Sequence, residues 1–147
     1  MTRDSRLGRS ALRLAATATA IADRSPPPAT LARVGLGAMA FLAGVHKLAA
    51  PAAWTQYVTD WLAPVLVVSP TTFMLVNGVL EIGFGAAIVA DRWTALAAGV
   101  AAVSLSATVV YLAVVAALEG GRFLDVLVRD VGLAALAWAV TVDALRP

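Results

Sequence analysis

The stretch Trp93–Leu118, WTALAAGVAAVSLSATVVYLAVVAAL, runs for 26 residues without one charged side chain. A helix of that length rises about 39 Å at about 1.5 Å per residue, more than the roughly 30 Å hydrocarbon core of a bilayer. It is read as a membrane span. Nine alanines with Gly99, Ser104 and Ser106 favour close helix packing and carry no evident chemistry, so this span is read as scaffold.

Outward from it, three more apolar runs of comparable length occur, at about residues 30–49, 71–90 and 124–145. The whole chain agrees with them. Of its 147 residues 61% are hydrophobic and 14% charged, where a soluble domain is about half apolar and a quarter charged. The joints at Asp91–Arg92 and at 119–123 are short, which makes adjacent spans antiparallel neighbours. Between the first two spans, Pro51 to Pro70 places Trp54, Tyr57 and Trp61 three and four residues apart, the spacing of one face of an interfacial helix. The expected fold is an all-α integral membrane four-helix bundle over residues 29–147, with an interfacial helix after the first span.

Residues 1–28 form a separate zone with Arg3, Arg6, Arg9, Arg13 and Arg24 among Ser, Thr and Ala, closed by Pro26, Pro27 and Pro28. Its centre is interrupted by Arg13 and lacks a convincing cleavage site, so it reads as a poorly ordered cytosolic tail or a surface-lying basic helix. Eight positive residues, the five of this tail with Arg33, Arg92 and Arg146, fall on one side of the expected topology. Lys47, Arg122 and Arg129 fall on the other. The excess of basic residues on one side predicts a multi-pass cell-membrane protein with both termini cytoplasmic.

Composition also excludes functions. No cysteine is present, which removes disulfides, thiolate zinc sites and cysteine-ligated clusters, and a net charge of +2 gives no reason to expect nucleic acid as a partner. The glycines of Gly83–Phe84–Gly85 lie inside an apolar run, so they are packing residues and no phosphate loop.

Ionisable groups within spans are expensive and therefore become the site candidates. Arg33, Gly37, Ala40, Gly44 and Lys47 are spaced by four, three, four and three, a stripe where another helix can approach closely. Glu81 falls near the middle of the second span with Asn77 one turn before it and Gly85 one turn after. It is read as a proton-binding or ligand-binding acid, or as a structural acid held by an ion pair or hydrogen bond. Asp125, Arg129 and Asp130 open the fourth span, with Asp125 one turn from Arg129. Arg129 and Asp130 project about 100° apart, so at most one points at the bundle axis. His46, Lys47, Arg129 and Asp130, with Glu81 deeper, are expected to form a polar cluster opening outward. His46 alone is read as a hydrogen-bonded or interfacial residue, Met39 and Met74 as packing residues, and no metal site is expected.

Three segments, Arg33 to Pro51 (RVGLGAMAFLAGVHKLAAP), Gly78 to Gly85 (GVLEIGFG) and Arg129 to Leu133 (RDVGL), resemble the DoxX family of small four-helix membrane proteins. The resemblance spans about residues 30–145 and leaves the arginine-rich tail outside. It implies Arg33, Lys47, Glu81, Arg129 and Asp130 as recurring polar positions. It also implies kinship with a subunit of thiosulfate:quinone oxidoreductase and with partners of membrane-associated oxidative-stress complexes. The resulting expectation is an accessory or quinone-interacting subunit of a membrane oxidoreductase system, its polar groups either binding a quinone-like ligand or holding the bundle in shape, with no intrinsic cofactor and no autonomous enzymatic activity. Two other readings stand beside it: a small transporter or proton pathway, working as a homo-oligomer around Glu81, and a structural membrane protein whose charges fix helix register.

Overall fold

The computed structural model describes the backbone of residues 3–147 and the side chains of residues 12–147. These residues form helices and connecting turns, with no strand among them. Helix α1 (Arg3–Arg24) precedes four long helices, α2 (Pro28–Ala49), α4 (Pro70–Val89), α5 (Thr94–Leu118) and α6 (Leu124–Ala144). A one-turn helix α3 (Ala52–Thr55) and a short 3-10 turn at Ala63–Val65 lie between α2 and α4.

Local chemistry sets the helix starts. Pro28 and Pro70 each occupy the first helical position, where a missing N–H costs nothing and the fixed φ already suits a helix. Ser69 caps α4, its Oγ accepting the Thr72 N–H at 3.1 Å. The α4–α5 joint is tight: Asp91 and Trp93 both adopt φ of 55°, and Thr94 Oγ1 donates to Asp91 Oδ1 at 2.8 Å. Gly120 and Gly121, with φ of 64° and 89°, end α5 in the left-handed conformation that glycine adopts without penalty.

Helices α2 and α4 meet antiparallel, backbone against backbone. A Cβ on Gly44 would stand 2.5 Å from the Gly78 carbonyl oxygen, and one on Gly85 would stand 2.5 Å from the Phe41 nitrogen. The small-residue stripe of α2 therefore finds its partner in α4, and only glycine permits this approach. Helices α5 and α6 form the second tight pair. Leu36 and Ile88 from the first pair join Ala97, Ala98, Ala102, Ala137 and Val140 from the second in one core. Outward, Leu42, Val79, Leu96, Val103, Val110 and Val131 are exposed, so the assembly is aliphatic outside as well as inside. That surface suits lipid, where a protein surrounded by water would present polar residues.

Three helices, α2, α4 and α5, are long and apolar enough to cross a membrane. α6 matches them in length, but every 18-residue stretch of it carries three charged residues, Arg129 and Asp130 with Asp125 or Asp143.

The segment after α2 departs from the expected interfacial helix. In place of one helix carrying Trp54, Tyr57 and Trp61, the chain makes the single turn of α3, then a run of turns. The Tyr111 hydroxyl, on α5, donates to the Tyr57 carbonyl oxygen at 2.7 Å and accepts the Thr59 N–H at 3.1 Å. Both backbone groups are thereby diverted from helical pairing. Pro64, which has no N–H, helps to keep the segment irregular. The aromatic rings pack over the end of the helix pairs as a cap.

Candidate functional site

Lys47 stands at the last turn of α2 and Glu81 at mid-length in α4, and the glycine contact between these helices brings them together. Lys47 Nζ donates to Glu81 Oε1 at 2.5 Å, and Lys47 is buried, 7% exposed. The second carboxylate oxygen, Oε2, is buried with no hydrogen-bond partner.

Trp54 covers the pair. Its ring lies 4.3 Å from Lys47 Nζ, within cation–π range, and its indole N–H donates to His46 Nδ1 at 2.9 Å. His46 is itself exposed and lines no cavity, so it reaches the cluster only by holding Trp54 in place. Trp54 packs in turn against Tyr57, and Tyr57 against Phe123, as tilted ring pairs with centroids 6.1 and 4.9 Å apart. Glu119 ties the α2–α4 connection to the α5–α6 loop: it accepts from Trp61 Nε1 at 3.3 Å and pairs with Arg122 Nη1 at 2.7 Å.

Across the cavity from Lys47, α6 supplies a second pair. Asp130 faces inward, 5% exposed, and the exposed Arg129 reaches back to it, Nε to Oδ1 at 2.9 Å. Of the two adjacent charges, then, the acid is the one that points at the axis. Asp125, expected one turn below Arg129, is not its partner. A buried carboxylate needs the cation more than an exposed one does.

Between the two pairs lies a cavity in two adjoining lobes. The larger, about 380 Å³, is walled by Trp54, Tyr57, Phe73, Met74, Tyr111 and Leu112. The smaller, about 200 Å³, is walled by Met39, Leu80, Phe84, Leu105 and Leu133. Lys47, Asn77, Glu81, Arg129 and Asp130 border both lobes, a polar belt between apolar walls. The Asn77 amide donates to the Phe73 carbonyl oxygen one turn back at 2.8 Å. Among the described residues no three His, Asp or Glu side chains gather as a metal-holding group.

Arg33 stands apart from this cluster. It lies four turns from Lys47, about 21 Å along α2, and its Nη1 donates to the Ile88 and Val89 carbonyl oxygens at 2.7 and 2.8 Å. Its Nε is 3.6 Å from Asp91. Arg33 therefore caps the C-terminus of α4, where unpaired carbonyls and the helix dipole favour a cation.

Reading α5 as plain scaffold also misses part of the site. Ser104, Thr108 and Tyr111 line the cavity, and Tyr111 fixes its cap. The available signal was a phenol inside a charge-free span, since a buried hydroxyl needs a partner.

The sequence model of the DoxX family matches residues 29–118. The chain belongs to the DoxX family. It is a DoxX membrane protein, and the matched region carries α2, α4 and α5 together with Arg33, His46, Lys47, Asn77 and Glu81. The DoxX match ends before α6, so Arg129, Asp130 and the RDVGL segment lie beyond it, a shorter reach than the resemblance to residue 145 implied. No curated protein and no solved structure gives a significant match to the chain.

Proposed function

We propose that this DoxX protein is a four-span cell-membrane protein with both termini cytoplasmic. In this reading it binds a quinone-like molecule between the Lys47–Glu81 and Arg129–Asp130 pairs, as an accessory subunit of a membrane oxidoreductase system. The observation that carries the reading is the cavity itself, with aromatic walls and a buried cation at its polar belt. The charges of α6 are compatible with a fourth span, because Asp130 is paired and turned inward. The two outer loops are bonded to each other, while Arg33 and Asp91 meet at the opposite end. This separation matches the uneven distribution of basic residues.

The residues fit a quinone. A quinone presents two carbonyl acceptors on a flat apolar ring, and Lys47 has N–H donors beyond the one given to Glu81. Trp54, Tyr57 and Tyr111 offer faces for the ring, and the volume falls within the roughly 300–1,000 Å³ range of small-molecule sites. When bound, such a molecule supplies reversible two-electron, two-proton chemistry. Lys47 would orient one carbonyl, Glu81 would hold Lys47 in position, and the aromatic cap would exclude water.

A ligand that binds only the folded state raises its thermal stability. Wild type and Glu81→Gln in detergent are therefore compared with and without a short-chain quinone. The proposal expects a rise in Tm for wild type that is lost in the variant. Absence of a shift in wild type would count against it and favour a second reading, for which the ion pair itself speaks: Glu81 as a clamp that fixes the register of α2 on α4.

A further inference from the structure

We propose that α1 is an interfacial helix that lies on the anionic cytoplasmic leaflet, its apolar face in the acyl boundary and its arginines among lipid phosphates. This inference rests on the cytoplasmic N-terminus of the reading above and is independent of any ligand in the cavity.

Three observations meet here. First, the helix is two-faced. Leu7, Ala11, Leu14, Ala18 and Ile21 recur at four, three, four and three, and Arg6, Arg9, Arg13 and Arg24 lie about 100–160° round the helix from the centre of that stripe, while Arg3 falls at its N-terminal end. Leu12 is the one large apolar residue off the first stripe. Second, the apolar stripe is unpartnered where side chains are described: Leu14 is 72% exposed and Ile21 62% exposed. Third, α1 is tethered to the membrane. Only Ser25, Pro26 and Pro27 separate it from α2, a candidate span, and three residues reach about 10 Å at most. The prolines stiffen this link further. A helix held that close to a bilayer, with five arginines against two aspartates, meets a surface of complementary charge. Its alanine-rich apolar face alone would insert weakly, so the arginines are needed for docking.

The chain has no cysteine, so one introduced thiol reports one position. The full-length protein is placed in nanodiscs of phosphatidylcholine alone or mixed with phosphatidylglycerol. An environment-sensitive fluorophore is attached at Leu14→Cys or Ile21→Cys on the apolar face, or at Ala16→Cys or Ala20→Cys on the opposite face. The expected result is blue-shifted emission at Leu14 and Ile21 only, requiring phosphatidylglycerol and reversed by added salt. Adding Arg13→Gln and Arg24→Gln should weaken docking about five-fold per arginine removed. All four labels are at exposed positions, so folding is not at stake. Equal emission at all four positions overturns the proposal. So does a shift that is the same without anionic lipid, or one already present in detergent, which would mark docking onto protein.

Discussion

Lys47 and Glu81 hold each other in a place where neither is stable alone. Removing Lys47 leaves the half-buried Glu81 carboxylate without its cation, at a cost below the roughly 3–5 kcal/mol of a fully buried pair, whereas replacing both with apolar residues of similar size is often neutral. Lys47→Met should therefore lower the unfolding temperature in detergent markedly, and Lys47→Met with Glu81→Leu should recover most of the loss. If the double variant is as unstable as the single, the pair is not the source of the effect. Tyr111→Phe should cost about 1–2 kcal/mol and leave the Thr59 amide without its acceptor, so hydrogen exchange at Thr59 should quicken while α2 and α4 stay protected. At this scale the sequence was informative about the charged residues and Asn77, and silent about Ser104, Thr108 and Tyr111. Glu81 in an apolar run announces itself by its desolvation cost. Which of Lys47, Arg33 and Arg129 would pair with it depends on helix register, and Tyr111 becomes legible only when the backbone it binds is in view.

Among the helices, α2 and α4 pose the sharpest test. Gly44→Ala drives a methyl group into the Gly78 backbone, an overpacking that should cost about 1–3 kcal/mol or separate the helices. Gly83→Ala, on the partner helix α4 with nothing within 4 Å of the added Cβ, should be neutral or slightly stabilising. Parallel thermal unfolding of the two variants in one detergent decides the matter, and equal behaviour would refute the close-contact account. Long apolar runs made the helices readable, and the glycine spacing of α2 made its interface readable. The segment from Pro51 to Pro70 was not, because aromatic spacings of three and four fit a helix until a side chain from a distant helix claims its carbonyl and amide.

For the molecule as a whole, topology is the open prediction. With both termini cytoplasmic, Arg92→Cys should react with an impermeant thiol reagent from the cytoplasmic side only, and Val67→Cys, fully exposed in the outer loop, from the opposite side only. Labelling of both from one side would reject the four-span arrangement. The intimate seating of α2 on α4 has a mechanical consequence as well. With main chains in contact at Gly37, Gly44, Gly78 and Gly85, and the Lys47–Glu81 pair bonded across the same seam, these two helices behave as a single stiff plate. The cavity lies along the seam between that plate and the α5–α6 hairpin. A change in the width of the cavity is therefore taken up by the hairpin and the aromatic cap, not by the plate.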